Sequence, residues 1–164
     1  MKKLFFIFLF IFSYTLMNAQ ITHIYIVRHA EKDLSDKENP NPDLSEEGKQ
    51  RAERLLTELK KVKFSAAYST PYKRTQQTLQ PIADYNKIGT MNYDPRNNQK
   101  LVEEILSTHS NETVIIAGHS NTIPGLLEAF GAKMPFETIS EEDYSNIFHL
   151  TIDKDKVNLD HSNY

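Results

Sequence analysis

Residues 21–31 read ITHIYIVRHAE, and the order of residue types in that stretch decides the fold. Ile21 to Val27 are mostly β-branched or aromatic and apolar on both alternating faces. That is the pattern of a strand buried inside a parallel sheet rather than one lying half in water. The run then breaks at once into charge, Arg28-His29-Ala30-Glu31. The design recurs at 113–117, where TVIIA is followed by Gly118-His119-Ser120-Asn121. A shorter run at Ser65–Tyr68 leads into Ser69-Thr70-Pro71-Tyr72-Lys73-Arg74.

The segments between these strands carry helical signals. Ser45 can cap a helix with Glu46 and Glu47 in its first turn and Lys60, Lys61 and Lys63 around its end. Ala52, Leu55, Leu56, Leu59 and Val62 form its apolar stripe. Thr70-Pro71 is expected to open a second helix, with proline at the tolerated first position and Ser69 or Thr70 as cap, and Pro81 to kink or end it. Gly89–Tyr93 reads as a minor strand. Asn98–His109 reads as a helix turning Leu101, Val102, Ile105 and Leu106 inward. Asn121–Phe130 reads as a helix closed by Gly131, with Asn121 or Thr122 as cap. Ile147–Ile152 and Lys156–Leu159, joined through Asp153-Lys154-Asp155, form a terminal hairpin. Strands alternating with helices predict a three-layer α/β/α domain over residues 20–164, with a mostly parallel central sheet and a C-terminal antiparallel hairpin.

The 164 residues fit one domain, and their 19 Lys+Arg against 22 Asp+Glu give a net charge of −3. That balance, with no Lys/Arg stripe, offers no electrostatic footprint for nucleic acid. The absence of cysteine excludes disulfides, thiolate nucleophiles and cysteine-ligated metal sites. The first residues follow a different logic. Lys2 and Lys3 precede an unbroken apolar run from Leu4 to Phe12, and a more polar stretch ends in Met17-Asn18-Ala19-Gln20. This is the pattern of a secretory signal peptide over residues 1–19, cleaved after Ala19. The alternative, an uncleaved membrane anchor, needs about 20 apolar residues, more than this run supplies. The expectation is an exported protein, periplasmic or extracellular, with no stable membrane insertion once the signal is removed.

In open α/β sheets, ligands sit beyond the carboxyl ends of the strands. The residues after the three main strands therefore share one edge: Arg28 and His29, Arg74, and His119. Two guanidinium forks, two imidazoles and nearby helix N-termini describe a phosphate site. Each motif alone has a plainer reading, an Arg-His pair as a surface turn and Arg74 as a solvated charge on a helix. His23 reads as a packed or edge residue, and His109, His149 and His161 as surface residues. No two-His-plus-carboxylate cluster has metal-ligand spacing, so neither metal nor cofactor is expected.

Val27-Arg28-His29-Ala30-Glu31, the stretch Tyr68 to Thr78 (YSTPYKRTQQT) and Ala117-Gly118-His119-Ser120 resemble the three motifs of the histidine phosphatase superfamily. Within it the match is to the phosphoglycerate mutase-like branch, especially its small single-domain members, and it spans about Ile21 to Gly131. The resemblance implies a two-step reaction in which His29 attacks phosphorus and holds a phosphohistidine, splitting one difficult displacement into two. Arg28, Arg74 and a protonated His119 then stabilise the charge on the transferring group. The tautomer of His29 must be fixed by a carboxylate or a carbonyl on its other ring nitrogen. In the family, a carboxylic acid between the second motif and the last strand protonates the leaving group. Asp94 is the first choice here, with Glu103, Glu104 and Glu31 open. Substrates with good leaving groups, such as phosphohistidine or acyl phosphates, need no such acid.

Departures from the pattern matter. Ala30 replaces the family's usual glycine, and Lys32-Asp33-Leu34-Ser35 replaces a Thr and an Asn that help hold phosphate, so Lys32 or Ser35 would have to substitute. The chain lacks the insertion that mutases use to enclose their substrate. These features favour an open-site phosphoric monoester hydrolase acting on a small phosphorylated substrate over a mutase. Two other readings remain. One is a phosphate-ligand binding module without turnover. The other is a serine hydrolase using Ser120 in a strand–turn–helix elbow, although Thr122 stands where that motif closes with glycine. Substrate choice would lie in the loops Lys32–Asp43 and Tyr85–Asn98.

Overall fold

The structure, a computed structural model, describes residues 21–164, so the expected signal segment lies outside the described residues. Six strands and four helices follow in the order β1 (Ile21–Arg28), α1 (Glu46–Leu59), β2 (Ala66–Ser69), α2 (Lys73–Asn86), β3 (Thr90–Asn92), α3 (Asn98–Thr108), β4 (Thr113–Gly118), α4 (Ile123–Ala129), β5 (Asn146–Asp153) and β6 (Lys156–Asn163). They build one sheet in the order β3-β2-β4-β1-β5-β6. The β3, β2, β4 and β1 pairings are parallel, while β5 adds antiparallel to β1 and β6 to β5. This is the expected α/β architecture, with the terminal hairpin extending the parallel core.

The alternating side chains of β1 and β4 supply both cores. Ile24, Ile26, Val114 and Ile116 pack with Leu101, Val102 and Ile105 of α3 and Leu126 and Leu127 of α4. Val27, Ile115 and Ala117 face the other way, against Leu55 and Leu59 of α1 and Leu79 and Ile82 of α2. Strands apolar on both faces thus end up between two helical layers, because only there are both faces removed from water.

Three details differ from the sequence expectation. Helix α2 starts at Lys73 rather than at Thr70-Pro71, and its N-cap is Tyr72, without a side-chain cap bond. It also runs through Pro81 to Asn86, where Lys87 closes it in the left-handed region at φ 58°. Buried Leu79, Ile82 and Ala83 on either side of the proline bind this helix to the sheet, and that packing outweighs one lost backbone hydrogen bond. In α3, Leu101, Val102 and Ile105 are buried, but Leu106 is 38% exposed because a helix of this length turns one narrow stripe inward. The α1 signals read as expected: Ser45 accepts a hydrogen bond from the Gly48 N–H. No helix among the described residues is long and apolar enough to cross a membrane.

Candidate active site

The site grows out of one pair of strands. β1 and β4 run parallel with Arg28 opposite Gly118, and the ladder continues one step further, with the His29 N–H donating to the Gly118 carbonyl at 3.0 Å. His29 and His119 therefore leave adjacent strand ends together, their ring centroids 5.2 Å apart. β2 lies on the other side of β4, with Ser69 opposite Ala117, which carries Thr70 and the start of α2 to the same edge. The Thr70 hydroxyl meets His119 Nε2 at 2.9 Å.

The tautomer of His29 is fixed by its neighbours. Its Nδ1 lies 2.7 Å from the Ala30 carbonyl oxygen. A carbonyl only accepts, so Nδ1 carries the proton and Nε2 keeps its lone pair. The tautomer-fixing group that sequence left open is thus the backbone oxygen of the next residue. Burial pushes the imidazole down from the usual 6.5 to about 4, opposed by that hydrogen bond and assisted by the charges of Arg74, Arg28 and Lys32.

His119 is held from two sides. Its N–H donates to Thr122 Oγ1 at 3.1 Å. Thr75 gives its hydroxyl proton to the carbonyl of Thr70 or Tyr72, so Thr70 donates to Thr75 Oγ1 and is left to accept from His119 Nε2–H. Burial, then the charges of His29, Arg74 and Arg28, lower His119 to about 3. Among these cations the ring is neutral, and the protonated form expected from sequence requires the negative charge of a bound phosphate. Ser69 and Thr70 are not the caps of α2. Thr70 is instead fully buried as the partner of His119.

The two arginines are placed differently. Arg74 lies with its Cζ 4.3 Å over the Tyr72 ring, and that ring packs edge-on to His119 at 5.3 Å. Arg28 is 2% exposed; its Nη1 donates to the carbonyls of Ser140 and Asp143 and its Nη2 to Glu141 Oε2 at 2.8 Å. The Tyr144 ring covers it at 4.2 Å. The Nε of both arginines is buried without a partner among the described residues. Buried donors of this kind are costly unless an acceptor arrives, and a phosphate oxygen is such an acceptor.

The remaining candidates lie further from the chemistry. Asp94 is exposed at the rim of an open cleft of about 480 Å³ that it shares with Tyr72, Arg74, Arg96 and His119. Arg96 binds both of its oxygens, at 3.0 and 3.1 Å, and holds the carboxyl below its usual range. Lys32 is exposed and bridges to Leu44, close enough for its charge to weigh on His29. Ser35 lies exposed in a turn with Asp33. Glu31 is clamped by Arg51 at 2.6 Å, and Glu104 bonds the Tyr68 hydroxyl while Glu103 pairs with Gln99. Ser120 donates to Glu141 Oε1, a carboxylate rather than an imidazole. Among the described residues no group of three or more His, Asp or Glu could hold a metal ion. Sequence reasoning missed Thr70 as a partner of His119, Tyr72, and the whole Ser140–Tyr144 loop.

Residues 24–98 match the family model of the histidine phosphatase superfamily (branch 1). A comparison with curated protein sequences gives no match. Among solved structures the chain is similar to YhfR of Bacillus stearothermophilus, with a TM-score of 0.70, 17% identity, and coverage of 84% of this chain and 95% of that one. It is similar to the protein histidine phosphatase SixA, solved with tungstate, with a TM-score of 0.69, 18% identity, and coverage of 86% and 96%. It is also similar to a phosphoglycerate mutase from Bacillus anthracis, with a TM-score of 0.63, 15% identity, and coverage of 88% and 93%. At these identities the likeness is one of fold, and a phosphatase and a mutase share it. The matched family model, the fold and the paired histidines agree, and over residues 24–98 the chain is similar to the histidine phosphatase superfamily, branch 1.

Proposed function

We propose that this protein is an exported, metal-independent phosphatase that hydrolyses small phosphomonoesters through a phosphohistidine on His29. One observation carries the reading: a buried imidazole whose Nδ1 proton is tied to the Ala30 carbonyl, so that Nε2 presents a lone pair beside Arg28, Arg74 and His119. In the first step a bond forms from Nε2 to phosphorus while the ester oxygen leaves and takes a proton. In the second, water adds its oxygen to phosphorus, the P–N bond breaks, and orthophosphate departs. Arg28, Arg74 and His119, protonated once the phosphate dianion is beside it, carry the charge of the transferring group. Hydrolysis rather than transfer to a second bound substrate is supported by the openness of the cleft along Tyr72, Arg74 and Asp94.

The direct test is chemical. His29→Ala abolishes turnover, and Ser120→Ala leaves most of it. Acid quenching is avoided, and base-stable, acid-labile phosphate is sought on His29. Activity survives EDTA and is blocked by vanadate. Measurable phosphate binding with no hydrolysis across a panel of phosphomonoesters would assign a binding module instead. Export is tested by N-terminal sequencing of the protein recovered outside the cytoplasm, with Gln20 as the expected first residue.

A further inference from the structure

We infer that Glu141, outside all three motifs, is the acid that protonates the leaving group in this site; the inference rests on the phosphatase reading above. The other carboxylates near the edge are committed elsewhere. Glu31 is locked to Arg51, Glu104 and Glu103 lie on α3 with Tyr68 and Gln99, and Asp94 is held at both oxygens by Arg96. Glu141 is bonded at both oxygens too, but to residues of the site itself. Its Oε2 sits 2.8 Å from Arg28 Nη2, and its Oε1 accepts from Ser120, the residue after His119. Its charge is felt at His119, while the hydrogen bond from Ser120 and then the charge of Arg28 hold its own carboxyl below the usual range.

The backbone that carries Glu141 is anchored to the same guanidinium. Arg28 Nη1 binds the carbonyls of Ser140 and Asp143, and Tyr144 stacks on the Arg28 Cζ. The carboxylate is therefore delivered to the phosphate subsite by a fixed loop, while its own side chain stays 77% exposed and within reach of a leaving group. A hollow of about 260 Å³ beside it, lined by Ser120, Asn121, Pro124 and Ile139, offers that group a place.

The electrostatics give the proton its direction. An entering phosphate competes for Arg28 and brings its own negative charge beside the carboxylate. Both effects favour the protonated carboxyl, the form that can donate. The proton arrives with a monoanionic substrate or from water. It passes from Glu141 to the ester oxygen as the P–O bond breaks and the P–Nε2 bond forms. In the second step the Glu141 carboxylate takes a proton from the attacking water, which restores the acid and leaves orthophosphate.

The experiment compares a poor and a good leaving group, glycerol 2-phosphate and p-nitrophenyl phosphate, in wild type, Glu141→Gln, Glu141→Asp and Asp94→Asn. Nitrophenolate needs little protonation, so loss of an acid lowers the ratio of kcat/KM for the alkyl over the aryl ester. The expected fall in that ratio is about 100-fold in Glu141→Gln, within the range for general acid catalysis, with partial recovery in Glu141→Asp. A merely structural role for Glu141 lowers both rates together and leaves the ratio alone. An unmoved ratio in Glu141→Gln, or a selective fall in Asp94→Asn instead, overturns the assignment while leaving the phosphatase reading intact. Wild-type protein that hydrolyses neither ester overturns the phosphatase reading, and this assignment with it.

Discussion

His29 and His119 are held in one place by the backbone, because Arg28 and Gly118 are partners in the parallel ladder and the His29 N–H continues it to the Gly118 carbonyl at 3.0 Å. The rings follow from adjacent strand ends and stand 5.2 Å apart. Two imidazoles that close, largely buried and flanked by two guanidinium groups, favour the neutral state of both. The arrangement suits a nucleophile, and it has a cost in acid.

Stability should fall with acid between about pH 6.5 and pH 3 through these two residues. In the unfolded chain a histidine takes up a proton below about pH 6.5. In the folded protein His29 does so only near 4 and His119 near 3. The unfolded state binds more protons across that window, so the stabilising contribution is complete above pH 6.5 and is lost as the pH falls. The loss by about pH 4 is on the order of 3 kcal/mol for each ring. Thermal unfolding at pH 7.5 and 4.5 checks it. The drop in Tm on acidification should be smaller in a His29→Asn, His119→Asn double variant, and an equal drop in both proteins would refute the assignment.

Thr70 should matter to turnover through the His119 ring that it holds. Its hydroxyl accepts from His119 Nε2–H and donates to Thr75. Thr70→Val keeps the shape and removes both bonds, leaving a buried imidazole N–H without a partner. The expected stability loss is about 1–3 kcal/mol. Activity should fall by about 10-fold or more even at temperatures where the variant is fully folded, because His119 loses the group that orients it. Thr70→Ser, which keeps the hydroxyl, should recover most of the rate. Equal rates in the valine and serine variants would show that the hydroxyl plays no part.

How much of this was visible beforehand depended on whether the signal was local. The strands at 21–28 and 113–118 declare themselves by apolar residues on both faces, and parallel neighbours then force His29 and His119 together. The hold on Arg28 left no such trace. Its partners are two backbone carbonyls and a glutamate more than a hundred residues away, and any residue supplies a carbonyl. Glu141 lies in Ser140-Glu141-Glu142-Asp143, which reads as a solvated acidic turn. Thr70, placed before a helix, looks in sequence like any capping hydroxyl. Pro81 marked a helix end by local chemistry alone, and packing on the sheet overrode it.

Gly48 is the position in α1 where a single methyl group should do the most damage. The helix begins against the carbonyl of Glu31, which also accepts from the Ser45 N–H at 2.9 Å and from the Ser45 hydroxyl. A Cβ on Gly48 would lie 2.1 Å from that carbonyl oxygen and 3.0 Å from its carbon. Both are main-chain atoms that cannot swing aside, so either α1 or the chain after His29 must move. Gly48→Ala should destabilise by roughly 3 kcal/mol, the upper part of the range for overpacking, despite the better helix propensity of alanine. Because Glu31 is two residues from His29, the shift should also lower kcat. Gly89 is the control: a Cβ there meets nothing within 4 Å, and Gly89→Ala should stay within about 0.5 kcal/mol of wild type or gain slightly. Chemical denaturation of the two variants, with phosphatase assays at 25 °C, separates the outcomes. Equal stability and activity in Gly48→Ala and Gly89→Ala would mean that the helix is not seated on the Glu31 carbonyl.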